Sequence, residues 1–397
     1  MRLQEKKYDV VVVGTGPAGS TAAYSAVVNG AKVLMVDRRR ELGVPVQCGE
    51  ALAEDILKEL KIKPDPAWAL NRTNAMKIFA PSGIDIRIAE RVGGKVGFIL
   101  NRKIFDKFLA LRAVEAGADL MVGTYVDGLI VENGKPKGVK AHGPNGRLEI
   151  PAQVIIAADG VGSRVAKWAG LNSTLKLNDI ESGIQFQMVG VDFDSQDTME
   201  FYLGSKIAPG GYAWVFPKGE HMANVGLGVV GSRAERRPLD YLRDFVASRP
   251  NLSKGKVVEI NGGGDPVSGP LKKTVKDNVI VVGDAARQVN AITGGGIDSA
   301  MRAGNIAGEV AAKAVKAGDT SEKRLNEYEK RWREKMGKRL EKYLKAKNVF
   351  LSLSDKELDE LAETLSKVKF DKISVMGMIR VLVKSHPKLL WKLKGLV

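Results

Sequence analysis

The segment from Tyr8 to Asp37 constrains the fold more than any other part of the chain. Four consecutive valines precede Gly14, Gly16 and Gly19, and a second apolar run ends at Asp37. The valine run is typical of a parallel strand that is buried on both faces. The first glycine permits a sharp turn, the second lets a diphosphate approach the backbone, and the third lets the helix pack closely. The pattern therefore predicts a strand, turn, helix and strand that bind an adenine dinucleotide, with an accidental glycine turn as the alternative.

Two later segments help to distinguish FAD from NAD. One is a buried strand that ends at Asp159-Gly160, and the other ends at Gly283-Asp284 and continues into a glycine-rich turn and a helix. A carboxylate at the end of such a strand is well placed to bind a ribityl hydroxyl. Amides from Gly294 to Ile297, at the start of a helix, would face the flavin edge that becomes negative on reduction. Two ordinary strand-turn-helix units are the alternative.

Together these three motifs resemble the FAD fold of hydroxybenzoate-hydroxylase-type flavoproteins. Within that superfamily the chain is similar to the geranylgeranyl reductase family, in particular its archaeal branch that acts on digeranylgeranyl glycerophospholipids. The segments that carry this similarity are PVQCGEAL (45–52), NRKIFDKFL (101–109), GDAARQVNAITGGGI (283–297) and PGGYAWVFP (209–217). The resemblance covers about the first 320 residues and implies FAD as the cofactor. One departure is the aspartate at position 37, where the family more commonly has glutamate.

The resemblance also implies individual flavin contacts. They are Ala18, Asp37, Cys48, Gly49, Ala51, Arg102, Val126, Asp284, Gly296 and Ile297, in addition to the cofactor-binding glycines Gly14, Gly16 and Gly19 of the first turn. Arg102 has a physical reason of its own, because a guanidinium is a fixed cation that suits a diphosphate. The alternative is an ordinary surface charge on a helix that Asn101 caps.

The remaining patterns predict an α/β protein with α+β insertions and three parts. Alternating apolar runs between Gly183 and Val230 predict an antiparallel sheet, Pro81-Ser82-Gly83 predicts a hairpin, and Asn-Gly pairs at Asn133 and Asn145 predict a small meander. We expect a discontinuous Rossmann-like FAD domain, an antiparallel-sheet substrate domain and a basic helical region. Their predicted residues are 1–75, 101–175 and 276–320 for the first, 76–100 and 176–275 for the second, and 321–397 for the third.

The stretch from Pro209 to Pro217 places three aromatic residues two positions apart. In a strand, Tyr212, Trp214 and Phe216 therefore lie on the same face. Buried core is the common explanation for such a stripe. The match to the family's substrate-domain signature instead favours the wall of a pocket, so we expect Tyr212 and Trp214 to contact a long polyene, with Phe216 either a third substrate contact or part of the core.

The formal net charge of +16 suggests an anionic partner. A phospholipid substrate and an anionic membrane surface fit it, whereas no nucleic-acid-binding signature is present and no nucleic-acid partner is expected. The segment ISVMGMIRVLVKSHPKLLWKLKGLV (373–397) is apolar and basic, so it suggests either contact with anionic lipid or docked helices with solvated cationic faces. No apolar run reaches the ~18 residues of a spanning helix, so a cytoplasmic protein at the membrane periphery is expected. One cysteine and three separated histidines argue against a metal site.

The resemblance implies saturation of isolated C=C bonds in geranylgeranyl chains of ether phospholipids. Reduced FAD would supply hydride from N5, and a ferredoxin, NADPH or another reduced carrier would supply the electrons. A proton is also needed, and Cys48 and Tyr212 are the candidate catalytic donors. The alternatives are a flavin monooxygenase or halogenase on the same fold, which would modify its substrate with oxygen, and a flavin-containing electron carrier or lipid-binding protein, which would leave bound lipid unchanged.

Overall fold

The computed structural model describes residues 7–89, 97–144 and 146–367, together with residue 381 and residues 384–386. The chain divides into two compact units, each built from three segments. Unit 1 comprises Met1–Pro45, Arg102–Leu175 and Pro266–Glu341, and unit 2 comprises Val46–Asn101, Lys176–Asp265 and Lys342–Val397. The three-part division expected from the sequence stays a prediction.

The described residues form both β-strands and α-helices. The strands are β1 (Tyr8–Val13), β2 (Val33–Val36), β3 (Ala51–Ala53), β4 (Ala69–Thr73), β5 (Ala75–Phe79), β6 (Asp85–Ala89), β7 (Gly97–Leu100), β8 (Asp119–Met121), β9 (Tyr125–Glu132), β10 (Lys135–Gly143), β11 (Gly146–Ala157), β12 (Ile180–Val189), β13 (Thr198–Tyr202), β14 (Tyr212–Gly219), β15 (Met222–Val230), β16 (Lys256–Pro266), β17 (Val275–Lys276) and β18 (Val279–Val281). The α-helices are α1 (Pro17–Val28), α2 (Glu54–Glu59), α3 (Arg102–Glu115), α4 (Arg164–Trp168), α5 (Pro238–Ala247), α6 (Pro250–Ser253), α7 (Ile297–Lys316), α8 (Glu322–Trp332), α9 (Lys338–Leu351) and α10 (Asp355–Ser366).

Unit 1 contains a mostly parallel sheet. Its order is β17-β18-β11-β1-β2-β8, and only the pairing of β17 with β18 in this path is antiparallel. The valines of β1 from Val10 to Val12 are fully buried, as expected for a strand covered on both faces. Helix α7 packs against α1 through Gly304, where an added Cβ would lie 2.2 Å from the carbonyl oxygen of Ala18. The predicted strand, helix and strand at the N-terminus are therefore confirmed.

Unit 2 contains a sheet of order β16-β12-β15-β14-β13-β5-β6. The pairing of β13 with β5 is parallel, which joins the hairpin predicted at residues 81–83 to the sheet. The register places Tyr212 opposite Gly228, and Gly228 opposite Gly183. One face of this sheet, which carries Ala213 and Val215, packs against α5 in an apolar core.

Helices α8, α9 and α10 contain most of the residues between Glu322 and Ser366. A π-helical turn from Arg333 to Gly337 joins α8 to α9. A capping box begins α10, because the Ser354 hydroxyl accepts from the Glu357 N–H and the Glu357 carboxylate accepts from the Ser354 N–H. No helix among the described residues is long and apolar enough to cross a bilayer. The turn predicted at Asn145 and nearly all of segment 373–397 lie outside the described residues.

Candidate functional site

The three glycines after β1 have three different surroundings. Gly14 has φ +98°, and an added Cβ would lie 2.3 Å from the carbonyl oxygen of Ala158. At Gly19 a Cβ would lie 1.9 Å from the carbonyl oxygen of Gly14, so the helix packs directly on the turn. Gly16 has nothing within 4 Å of the same position, and it begins α1 without a side-chain cap. The turn therefore presents an open backbone surface and uncapped amides, which is what a diphosphate requires.

Asp37 directly follows β2 and is held rigidly beside this turn. One of its carboxylate oxygens accepts from the Thr15 N–H at 2.9 Å and from the Thr15 hydroxyl at 2.6 Å. The other accepts from the Arg39 N–H at 2.8 Å. A carboxylate has about four acceptor positions, so Asp37 keeps capacity for a ribose hydroxyl.

Two further carboxylates lie in the loops that follow β11 and β18. The Oδ1 atom of Asp159 is buried and has no hydrogen-bond partner in the part of the chain that the structure describes, while Oδ2 accepts from the Val165 N–H at 3.1 Å. Burial raises the pKa of Asp159. Burial also raises the pKa of Asp284, and Arg102 opposes that increase. An unpartnered buried oxygen indicates that a polar group belongs at this edge of the sheet.

The turn before α7 completes the polar edge of unit 1. A Cβ on Gly296 would lie 3.2 Å from Oδ1 of Asp284, and this glycine begins α7 without a side-chain cap. The guanidinium of Arg102 forms a fork with Asp106, with N–O distances of 2.7 and 2.9 Å, and it is only 15% exposed. Arg102 is therefore a fixed, largely buried cation and not a solvated surface charge. These features fit a dinucleotide.

The other predicted flavin contacts are divided between the units. Ala18 and Val126 are both 7% exposed and belong to unit 1, as does Ile297. Cys48 and Ala51 belong to unit 2 with Gly49. The role of each of these residues toward the cofactor stays a prediction.

The aromatic stripe lies on one face of the unit 2 sheet, as predicted. Ring centroids are 5.9 Å apart for Tyr212 and Trp214, and 6.1 Å apart for Trp214 and Phe216. Phe201 from β13 lies within 5.5 Å of both Tyr212 and Phe216, so four rings form one cluster. Strand alternation places this cluster opposite the α5 core, so the rings are not part of that core. We call this side of the sheet the ring face.

Glycine positions shape the ring face beside Trp214. An added Cβ on Gly226 would lie 2.4 Å from Cζ2 of Trp214, so the indole lies directly over this glycine. The indole N–H donates to Oε1 of Gln185 at 2.9 Å. Gln185 in turn donates to the carbonyl oxygen of Cys48 at 3.1 Å. The indole is therefore fixed in orientation and linked to the segment that contains the cysteine.

The segment from Val46 to Glu50 crosses the ring face. A Cβ on Gly263 would lie 3.1 Å from the side chain of Gln47, and one on Gly49 would lie 3.2 Å from the Phe216 ring. The Glu50 N–H donates to Sγ of Cys48 at 3.1 Å, which fixes the half-buried thiol. Cys48 and the aromatic strand are thus brought together within unit 2.

A buried ion pair that the sequence analysis missed anchors this segment. Glu50 is 2% exposed and Lys218 is 5% exposed, and the Lys218 ammonium bonds directly to the Glu50 carboxylate. The same carboxylate accepts from Nδ2 of Asn224 at 2.6 Å, and Lys218 also donates to Oε1 of Gln187 at 3.2 Å. The sequence contains one indication that Lys218 lies on the ring face, because this residue continues the alternate positions of the aromatic stripe.

A second buried pair was also missed, at the other end of the stripe. Nζ of Lys347 lies 3.7 Å from Oε1 of Glu181, and the two side chains are 6% and 9% exposed. Burial raises the pKa of Glu181 to about 7, and the lysine opposes part of that increase. Burial lowers the pKa of Lys347.

The pKa of Tyr212 is raised well above its usual value, first by burial and then by the charges of Glu181 and Asp265.

Comparisons with known proteins agree with this geometry. Residues 12–58 match the model of a NAD(P)-binding Rossmann-like domain, and residues 179–264 match that of the geranylgeranyl reductase catalytic domain. Among solved structures, a flavin-dependent brominase superposes with a TM-score of 0.73 at 16% identity over 98% of this chain and 94% of its own. A geranylgeranyl bacteriochlorophyll reductase-like protein from Thermoplasma acidophilum superposes with a TM-score of 0.93 at 40% identity, covering 99% and 100%.

The fold is that of FAD-dependent proteins of the hydroxybenzoate-hydroxylase type, so the predicted fold class is confirmed. Curated relatives narrow the class further. Digeranylgeranylglycerophospholipid reductase from Methanothrix thermoacetophila is 47% identical over 98% of this chain and 99% of its own length. A reductase of the same name from Methanothermobacter thermautotrophicus is 44% identical over 99% of both chains. The chain belongs to the digeranylgeranylglycerophospholipid reductase family.

Proposed function

We propose that this protein is an FAD-dependent reductase that saturates isolated C=C bonds of geranylgeranyl chains in archaeal ether glycerophospholipids. Its family membership carries the proposal, because relatives of this name match nearly the whole chain at 42–47% identity. The ring face supports it further, since its residues lie within the segment that matches the geranylgeranyl reductase catalytic domain. A polyprenyl chain offers no polar group to bind, so fixed aromatic surface is the means by which a protein recognises it.

The residues of unit 1 are suited to holding FAD. The open backbone at Gly16 would receive the diphosphate, Asp37 the ribose hydroxyls, and Gly296 and Ile297 the polar edge of the ring system. FAD in its reduced state supplies the hydride for this chemistry. The chain's own part is to bind and orient the groups, exclude water and deliver a proton.

The substrate's chemistry explains why water must be excluded. An isolated trisubstituted alkene has no carbonyl to stabilise negative charge, so hydride addition needs nearly simultaneous protonation. A positive centre that forms on the chain would be trapped by water. The rings of Tyr212, Trp214 and Phe216 present apolar surface and π faces, which tolerate such a centre.

The function is tested by anaerobic incubation of chemically reduced enzyme with a geranylgeranylated glycerophospholipid, followed by mass spectrometry. We expect a gain of two hydrogens for each double bond that is saturated. A parallel incubation with oxygen and halide tests the halogenase or monooxygenase activity of the wider fold. An unchanged lipid mass in the anaerobic reaction would exclude the reductase function.

Replacing the rings tests their part in binding the chain. We expect Tyr212→Ala and Trp214→Ala each to lower kcat/KM for lipid by about 10–100-fold, because each removes a large apolar contact. Flavin content should remain that of the wild type. Val215→Ala is the matched control, since Val215 is buried on the opposite face of the same strand. If the ring variants resemble Val215→Ala in turnover per bound flavin, the rings are core residues.

The proposal also includes two partners. A ferredoxin, NADPH or another reduced carrier would supply electrons, and an anionic membrane surface would supply the lipid. The net charge of +16 supports the second partner.

A further inference from the structure

The Glu181–Lys347 pair lies on the same face of the sheet as the aromatic stripe. Glu181 is two positions before Gly183 on β12, and Gly183 stands in register with Gly228 and Tyr212. Because residues two apart in a strand share a face, the Glu181 side chain is on the ring face. Its Oε2 atom lies 3.5 Å from the position that a Cβ on Gly228 would occupy. The carboxyl is thus next to the glycine that stands opposite Tyr212.

Glycines leave the strip between Glu181 and Trp214 without side chains. An added Cβ on Gly183 would meet only backbone oxygens, at 3.5 and 3.9 Å. Among the described residues, a Cβ added to Gly228 would have only the Glu181 carboxylate within 4 Å. The floor of this strip is therefore backbone, with the Glu181 carboxyl on one side and the indole of Trp214 on the other.

Charges from several elements act on Glu181 and on the two groups next to it. Lys347 from α9 acts on Glu181 directly, Asp179 before β12 and Arg233 after β15 act on Lys347, and Asp265 at the end of β16 acts on the Tyr212 phenol of β14. Lys347 is the nearest cation, and burial lowers its pKa, which disfavours its charged form. The balance between burial and this single lysine leaves Glu181 able to hold and release a proton near neutral pH.

Tyr212, one of the two candidates named from the sequence, is a weaker acid than Glu181 at this position. Burial and two carboxylates raise the pKa of Tyr212, which disfavours release of its phenolic proton. The Cys48 thiol accepts a hydrogen bond from the Glu50 N–H, and the carbonyl oxygen of Cys48 accepts one from the Gln185 side chain. A carboxyl that exchanges protons near pH 7 is better matched to the task, because general acids work best when their pKa is close to the operating pH.

We propose that Glu181 is a catalytic residue that donates the proton gained by the alkene, and that Lys347 is the residue that positions and tunes it. This inference rests on the proposed reductase function. In the balanced step, one alkene carbon receives a hydride with its electron pair from the reduced flavin, and the other receives a proton from the Glu181 carboxyl. The C=C π bond and the carboxyl O–H bond break, and two C–H bonds form. Glu181 is left as a carboxylate that regains a proton from solvent.

The test is single-turnover saturation of a geranylgeranylated glycerophospholipid by reduced holoenzyme, between about pH 5 and pH 9. For the wild type we expect the rate to fall tenfold per pH unit above the Glu181 pKa of about 7. Glu181→Gln should reduce the rate at low pH by about 100-fold or more and remove this dependence. Lys347→Met should keep the dependence but move it to higher pH by about one unit, because removing the cation raises the carboxyl pKa.

Glu200→Gln is the matched control. Glu200 is also a largely buried carboxyl of this sheet with a raised pKa, but its register partner is Val215, on the opposite face. Its pH profile should match the wild type. If Glu181→Gln keeps the wild-type rate and profile while wild type saturates the lipid, the inference is overturned and the reductase function stands. If the wild type itself fails to saturate the lipid, the result contradicts the proposed reductase function instead.

The pair also ties α9 to the sheet, so folding is measured beside turnover. Flavin content and thermal unfolding are compared for Glu181→Gln, Lys347→Met and the double variant. A purely structural pair predicts that both single variants lose turnover in proportion to lost fold, with an unshifted pH profile. That result would also overturn the proposal.

Discussion

Replacing Glu50 by glutamine or Lys218 by methionine is expected to destabilise the protein by about 3–5 kcal/mol. Each change leaves the other charge almost fully buried, since the side chains of the pair are 2% and 5% exposed. The remaining Lys218 in the first variant would keep its hydrogen bond to Gln187, and the remaining Glu50 in the second would keep its hydrogen bond from Asn224. The free energy of unfolding by urea, followed by tryptophan fluorescence, measures the loss.

The double variant Glu50→Gln/Lys218→Met provides the decisive comparison. It removes both charges, so we expect it to be more stable than either single variant, with a clear coupling energy. The matched control is Glu363→Gln, which breaks an exposed pair with Lys367 at 2.8 Å and should have no measurable effect. If the single variants are as stable as this control, the segment from Val46 to Glu50 is held by packing and backbone bonds instead.

The features of this molecule that could be predicted depend on residues that are close together in the sequence. The turn at Gly14, Gly16 and Gly19 follows from local geometry, and the structure gives each glycine the surroundings expected for its role. The aromatic stripe of β14 is also a local pattern, because alternation alone puts its rings on one face. The capping box at Ser354 is set by residues three positions apart.

The two buried ion pairs could not be predicted in this way. Glu50 and Lys218 are 168 positions apart, and only the crossing of segment 46–50 over the sheet joins them. Glu181 and Lys347 are joined by the docking of α9 on the same sheet. Charged residues usually lie at the surface, so composition indicates solvent for all four, and only the alternation that continues the aromatic stripe to Lys218 points to the sheet instead. The parallel pairing of β13 with β5 is likewise a tertiary feature, since nothing local distinguishes it from another edge.

Replacing Gly16 by valine is expected to abolish FAD binding while leaving the fold intact. Nothing lies within 4 Å of the new Cβ, and Gly16 has φ −67°, so valine fits the backbone. Its side chain would occupy the surface that a diphosphate must approach, and we expect affinity for FAD to fall at least about 100-fold, or about 2.8 kcal/mol. Titration of the apoprotein with FAD and thermal unfolding measure the two effects separately.

Two other glycines supply the controls that make this result specific. Gly14→Val should unfold the domain, at about 4 kcal/mol or more, because φ is +98° and the new Cβ would overlap the carbonyl oxygen of Ala158. Gly231 lies beyond β15, and a Cβ added there would have no described atom closer than 4.0 Å. The Gly231→Val protein should therefore keep both its fold and its flavin. A Gly16→Val protein that binds FAD normally would show that the diphosphate does not use this turn. One that unfolds like Gly14→Val would show that the open side of Gly16 serves the fold and not the cofactor.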